Sequence, residues 1–193
     1  MTNIIENRCS EIRARSEGPY DTPHLHECAL LWRLAAAVMP GRCIVEIGSW
    51  RGRSACVMAD ACIEGVQVIA VDHFKGDDTG GEHPSKEIMS ATIAKLGLER
   101  KILVVDADAK LVDWINVLPC RPGLVFYDAD HKTQPTIEIL SQLLPLAKGA
   151  LLVIHDSNWE MTQKAIHWLS AFGLSEVFSM REETGIAVYS IGL

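Results

Sequence analysis

Val45-Glu46-Ile47-Gly48-Ser49-Trp50-Arg51-Gly52-Arg53-Ser54 decides how the chain folds: an apolar strand runs out at Ile47, glycines follow at 48 and 52, and a helical pattern opens near Arg53. Glycine at both positions lets the backbone approach a ligand closely, and the first turn of the next helix offers unpaired N–H groups to an anionic or carboxylate end. A tight βα turn that merely needs two glycines is the competing explanation, so the stretch gains meaning from what surrounds it.

Outward from this turn, short β-rich runs alternate with longer helical patterns. Strands are expected at about 43–47, 67–72, 101–105, 123–128 and 150–155, with helices at about 53–63, 85–97, 109–117, 133–146 and 160–172. Such alternation is the mark of βαβ units, and the near-continuous apolar runs Gln67–Val71 and Leu151–Ile154 suit a parallel sheet covered on both faces. The runs 176–180 and 186–190 are separated by only a short connection, too short for a crossover helix, so they form an antiparallel hairpin that turns at Gly185. Before Cys43, Pro23 to Met39 is helical in pattern and Pro40-Gly41 ends it. The expected architecture is a doubly wound, mostly parallel seven-stranded α/β sheet with a C-terminal antiparallel hairpin. It is read as one domain, 1–193, divided into an N-terminal helical segment (1–40) and a cofactor-binding core (41–193).

Composition narrows the partners. With 18 basic and 25 acidic side chains the formal charge is -7, and no Lys/Arg run appears, which disfavours a nucleic-acid backbone as partner. Residues 1–18 mix Glu6, Arg8, Glu11, Arg13 and Arg15 with scattered apolar residues, unlike a signal peptide, and no run reaches the roughly 18 apolar residues of a membrane helix. A cytoplasmic chain without a membrane partner is expected. The six cysteines are spread singly and read as buried reduced thiols. The apolar run Ala29–Val38 suggests surface that a homodimer would cover.

The second strand ends at Asp72, about two dozen residues after Gly48, where doubly wound folds place an acid against ribose hydroxyls. Together these features point to a nucleoside-bearing ligand without saying which. Asp128, Asp130, His131, His155 and Asp156 form a second group at the ends of strands four and five. If those strands are neighbours, their ends lie about 5 Å apart, so carboxylates there can share a divalent cation. Residues 73–84 make a polar, glycine-rich connection of the kind that serves as a lid, with His24 and His26 near enough in pattern to join it.

Taken as a set, Glu46-x-Gly48-Ser49-x-x-Gly52-x-Ser54, Asp72, Ala107-Asp108-Ala109, Phe126 to His131, Gly149 and Ile154-His155-Asp156 resemble a class I S-adenosylmethionine-dependent methyltransferase. The branch most closely resembled is that of small-molecule and sugar O-methyltransferases, from about Thr22 to Ile191. The resemblance implies a Rossmann-like methyltransferase fold and S-adenosylmethionine as cofactor. Glu46 and Gly48 would border the methionine end, Ser49, Trp50, Gly52 and Ser54 would line the same loop, Asp72 would take the ribose diol, and Asp108 the adenine amino group. Asp128 would border the cofactor and act with His131, the implied general base, on the acceptor hydroxyl. Asp128, His155 and Asp156 would be the ligands of Mg²⁺. The chain departs from the family pattern at Trp50, where a small residue is frequent, and at His155, where the sugar enzymes carry an acid. The alternatives are an NAD-dependent oxidoreductase, which lacks support because the third glycine of G-x-G-x-x-G is missing, and a catalytically silent nucleoside-binding protein.

Overall fold

The structure is a computed structural model that describes residues 2–16, 23–76, 85–182 and 184–192. Helices α1 (Thr2–Arg15) and α2 (Leu25–Ala36) precede the alternating core: β1 (Cys43–Ile47), α3 (Arg53–Ala61), β2 (Val68–Asp72), α4 (Ser85–Leu96), β3 (Ile102–Asp106), α5 (Trp114–Val117), β4 (Pro122–Tyr127), α6 (Thr133–Leu143), β5 (Leu151–His155), α7 (Glu160–Leu169), β6 (Leu174–Met180) and β7 (Ile186–Ile191). The seven strands form one sheet in the order β3-β2-β1-β4-β5-β7-β6. β1 pairs in parallel with both β2 and β4, β4 with β5, and only β7 runs antiparallel, between β5 and β6.

Side-chain alternation along β1 separates two cores. Ile44 faces α1 to α4 with Leu31, Met58, Met89 and Phe126, while Cys43, Val45 and Ile47 face α6 and α7 with Leu140, Leu143, Ile154 and Leu169. All five residues of β1 are buried, which is why no polar alternation marks this strand in the sequence. Strand order reverses between β1 and β4. The crevice beyond their carboxyl ends is therefore the place where an open α/β sheet receives ligands.

Two expectations change. The helix expected at 109–117 is split into a 3-10 turn (Ala109–Leu111) and the single turn α5, because Asp108 and Asp113 each cap their own segment, accepting from the backbone N–H of Lys110 and Asn116. The apolar run Ala29–Val38, read as surface for a second copy, is largely used within the chain: Ala29, Leu31, Ala35 and Val38 are buried, and α2 packs on α1 and α3. Of the expected lid, residues 77–84 lie outside the described residues. No helix among the described residues is long and apolar enough to cross a membrane. Five thiols are buried, and burial pushes them up to about 11 for Cys9 and Cys62 and about 12 for Cys28, Cys43 and Cys56.

Candidate active site

The turn after β1 requires glycine at two positions. Gly48 has φ +88, and a Cβ there would lie 2.0 Å from the carbonyl oxygen of Asp128. Gly48 thus lets the ends of β1 and β4 meet, a packing reason as strong as any ligand. Gly52, at φ +78, would place a Cβ 2.6 Å from Met89, so it seats α4 against the turn. It is also the N-cap of α3, and no side chain caps that end.

Asp72 holds this turn from the next strand. Its Oδ2 accepts from the Trp50 N–H and its Oδ1 from the Phe74 N–H, both at 2.7 Å. Trp50 (φ +45) and Phe74 (φ +53) are two of three non-glycine residues with positive φ among the described residues, and a left-handed backbone costs a bulky residue of order 1–3 kcal/mol. The Asp72 carboxylate holds both in that state, and each oxygen keeps a lone pair for a further donor. Arg51 lies over the Trp50 ring at 4.7 Å.

Behind the turn, Glu46 points into the α1–α4 core between Ala70 and Phe126 of the flanking strands. Its side chain is fully buried and neither carboxylate oxygen has a hydrogen-bond partner, nor does the buried Ser49 hydroxyl. Burial pushes the Glu46 carboxyl up to about 7, against the pull of the nearby Ser49 and Ser54 hydroxyls and with the help of the negative charges of Asp128 and Asp72. The two hydroxyls are close enough to act on the charge without the alignment of a hydrogen bond.

Across the crevice, the ends of β4 and β5 are adjacent, with Tyr127 paired to Ile154, and they bring four groups together. His155 Nδ1 lies 3.1 Å from both Asp128 Oδ1 and Asp156 Oδ2. His131 Nε2 lies 2.6 Å from Asp156 Oδ2, an ion-pair contact in which the ring N–H is not aligned on the oxygen. The ring of Trp159, 46 % exposed, stands 4.7 Å from that of His131 at a 40° tilt. Asp156 is the third residue with positive φ, at +52, and the loop it opens is stitched to the hairpin turn by Ser157 N–H to Gly185 O and Asn158 N–H to Thr184 O. Asn158 also donates from its side chain to Arg181 O, a second tie between this loop and the hairpin turn.

The charges follow from the contacts. Burial opposes protonation of His155, but the Asp128, Asp156 and Glu27 carboxylates outweigh it and hold its pKa far above the ordinary value. Asp156 is pulled well below the carboxylate range by His131 and His155 despite its own burial, and His131 is raised by Asp156 against desolvation. Sequence reasoning missed Glu27. This residue of the first turn of α2 is 1 % exposed, and its Oε2 lies 3.3 Å from His155 Nε2. Burial would raise its pKa, yet the hydrogen bond and charge of His155 leave it lowered. The only local trace is Glu27 three residues after His24, whose N–H donates to the same oxygen at 2.6 Å.

Of the residues singled out in the sequence, Glu46, Gly48, Ser49, Trp50, Gly52, Ser54 and Asp72 surround one turn, and Asp128, His131, His155 and Asp156 face it across the switch point. Asp108 lies beyond the end of β3 with its Oδ1 taken up by Lys110 N–H at 3.0 Å. Asp130 does not join the cluster: its side chain caps Lys132 N–H, and its carbonyl accepts from the Tyr127 hydroxyl. Asp128, His155 and Asp156 offer donor atoms within 4.8 Å of one another. The 3.1 Å separations match the edge, about 3 Å, between neighbouring donors each about 2.1 Å from one small divalent ion.

Comparison with known proteins agrees with this geometry. The family model described as "Methyltransferase domain" matches residues 45–157, more than half of the chain, from β1 through the loop after β5. No curated protein matches the sequence. Among solved structures, cofactor-bound Rv0187 from MTB is similar over 97 % of this chain and 89 % of its own, at 18 % identity and a TM-score of 0.69. The O-methyltransferase TomG from Streptomyces achromogenes, solved with SAM, is similar over 98 % of this chain and 90 % of its own, at 16 % identity and 0.68. An rRNA methylase from Streptococcus thermophilus is similar over 86 % of this chain and 96 % of its own, at 10 % identity and 0.61. Neighbours with such different acceptors share the fold and leave the acceptor to be argued from the site. The family match, the sheet order closed by an antiparallel β7 and the Gly48–Gly52 turn together show that the chain belongs to the methyltransferase-domain family, with the fold of class I S-adenosylmethionine-dependent methyltransferases.

Proposed function

We propose that the protein transfers a methyl group from S-adenosylmethionine to a hydroxyl oxygen of a small molecule. The observation that carries this reading is the pairing, across the β1/β4 switch point, of the buried Glu46 carboxylate and Ser49 hydroxyl, which lack hydrogen-bond partners, with a cluster of two histidines and two aspartates. The residues present fit the cofactor. The Glu46 carboxylate and Ser49 hydroxyl lack partners that an ammonium group would supply, and the uncapped start of α3 suits a carboxylate. Gly48, Trp50, Gly52 and Ser54 would line the same end, Asp72 would take the ribose diol on its remaining lone pairs, and Asp108 would accept from adenine.

S-adenosylmethionine supplies an electrophilic methyl on a positively charged sulfur. The protein's task is to align an oxygen with that methyl and to remove its proton. His131, 35 % exposed and held by Asp156 and the Trp159 ring, is the group that would take the proton. Asp128 and Asp156 would fix the hydroxyl, and Trp159 would cover the acceptor. Asp128, His155 and Asp156 would hold a divalent ion, which lowers the pKa of a hydroxyl bound to it. The acidic balance of the chain favours a small acceptor over a phosphate backbone.

Calorimetry with S-adenosylhomocysteine, followed by methyl-tritiated S-adenosylmethionine against a panel of phenols, catechols and sugars, tests the reading. Binding in the micromolar range and labelled product are expected. Binding of NADH without any response to S-adenosylhomocysteine would overturn it, and cofactor binding with no product from any acceptor would favour the catalytically silent alternative.

A further inference from the structure

We infer that Glu27 is a positioning residue of the acceptor site, acting through His155; the inference rests on the reading of Asp128, Asp156 and His131 as that site. Helix α2 lies outside the alternating core, yet Glu27 reaches from its first turn to the end of β5, 128 residues away in sequence. Closing the helix start does not explain a carboxylate here. A glutamine oxygen accepts from the His24 N–H equally well, whereas a charge at 1 % exposure carries a desolvation cost of several kcal/mol unless a specific partner offsets it. The partner is His155, itself 4 % exposed, so water does not replace the contact.

The consequence is a fixed ring. An ionised carboxylate only accepts, so His155 Nε2 carries a hydrogen directed at Glu27 Oε2, and the opposite nitrogen, Nδ1, is turned to Asp128 and Asp156 at 3.1 Å each. Turning the ring over would set a carbon against both aspartates and leave Glu27 with the His24 N–H but without the imidazole contact. One hydrogen bond from α2 therefore selects the ring orientation that holds the two aspartates together, whether a proton or a metal ion sits on the Nδ1 side. Asp156 in turn holds His131, so the chain of contacts runs from α2 to the proposed base.

The test is ¹⁵N-histidine NMR of the full-length protein, with Glu27→Gln and Glu27→Leu as variants and calorimetry with S-adenosylhomocysteine as control. The wild type is expected to show a single His155 ring state with an exchange-protected Nε2–H. Glu27→Gln keeps it, because the amide oxygen still accepts. Glu27→Leu loses the protection at least tenfold or shows two ring states, while cofactor affinity stays within about twofold. An unprotonated or unprotected Nε2 in the wild type, or an unchanged His155 signal in Glu27→Leu, overturns the inference. Should Glu27→Leu not fold, the wild-type and Glu27→Gln spectra decide. Absence of S-adenosylhomocysteine binding by the wild type would instead remove the methyltransferase reading, and the histidine spectrum judges Glu27 independently.

Discussion

Glu46→Gln separates what the fold needs at the end of β1 from what a cofactor needs there. Below about pH 4.5 the Glu46 carboxyl is neutral in the folded and unfolded chains alike. Between its ordinary value of 4.5 and the folded value of about 7, the unfolded chain releases a proton that the folded chain keeps, so folding stability falls as pH rises. At about 1.4 kcal/mol per pH unit, the loss reaches roughly 3 kcal/mol by pH 8, where both states are ionised and it levels off. Glutamine has no proton to lose, and the cost of burying its amide is the same at every pH. Urea denaturation at pH 5 and pH 8 should therefore show the variant gaining roughly 2–3 kcal/mol on the wild type between the two, or about 4–12 °C in melting temperature for a domain of this size. The same substitution should weaken S-adenosylhomocysteine binding by about 10- to 100-fold, the scale of one lost hydrogen bond to a charged group. A stability difference constant from pH 5 to pH 8 would refute the buried-charge argument. An unchanged cofactor affinity would remove Glu46 from the methionine end.

Asp72→Ala should both lower the melting temperature and weaken S-adenosylhomocysteine by roughly 1–3 kcal/mol, because the carboxylate holds the backbone at Trp50 and Phe74; calorimetry with a thermal scan checks both. His131→Ala should reduce turnover by about 10²- to 10⁴-fold, measured as S-adenosylhomocysteine release with an acceptor from the panel, and leave cofactor affinity unchanged. Because Asp156 raises the His131 pKa, turnover should rise with pH through a limb above the ordinary histidine value of 6.5, and Asp156→Asn should move that limb down. Manganese titration followed by electron paramagnetic resonance should show one bound ion that Asp128→Asn removes; no binding at millimolar ion would leave the two aspartates as direct acceptor ligands.

The sheet was legible because each βα unit announces itself locally: apolar runs without alternation for buried parallel strands, a glycine after β1, and a connection too short for a helix before β7. The site was legible as residues and less so as roles. Gly48 and Gly52 stood out for approach to a ligand, but the space a Cβ would fill is taken by the Asp128 backbone and by Met89, contacts that no local pattern shows. Asp130 looked like a member of the acidic cluster, yet its side chain turns to an N–H two residues ahead, a competition that short acidic side chains enter whenever a turn follows. Glu27 escaped notice because its meaning lies in a partner 128 residues away, and a glutamate in a first helical turn is ordinarily explained by the helix alone.

The position of β7 bears on how the molecule comes off the ribosome. It is the latest of the seven strands in the chain but lies inside the sheet, between β5 and β6. Until it is synthesised, the hydrogen-bonding edge of β5 from Leu151 to His155 has nothing to pair with, and the buried side chains of that strand lack one flank. Vectorial synthesis can therefore complete the parallel half early while leaving a sticky apolar edge beside the proposed active site. The turn residues Thr184 and Gly185, which hold the loop after Asp156, arrive just before β7. Catalytic competence should thus appear late in folding, after the parallel strands are protected, and nascent chains stalled before residue 186 should be the species that chaperones hold.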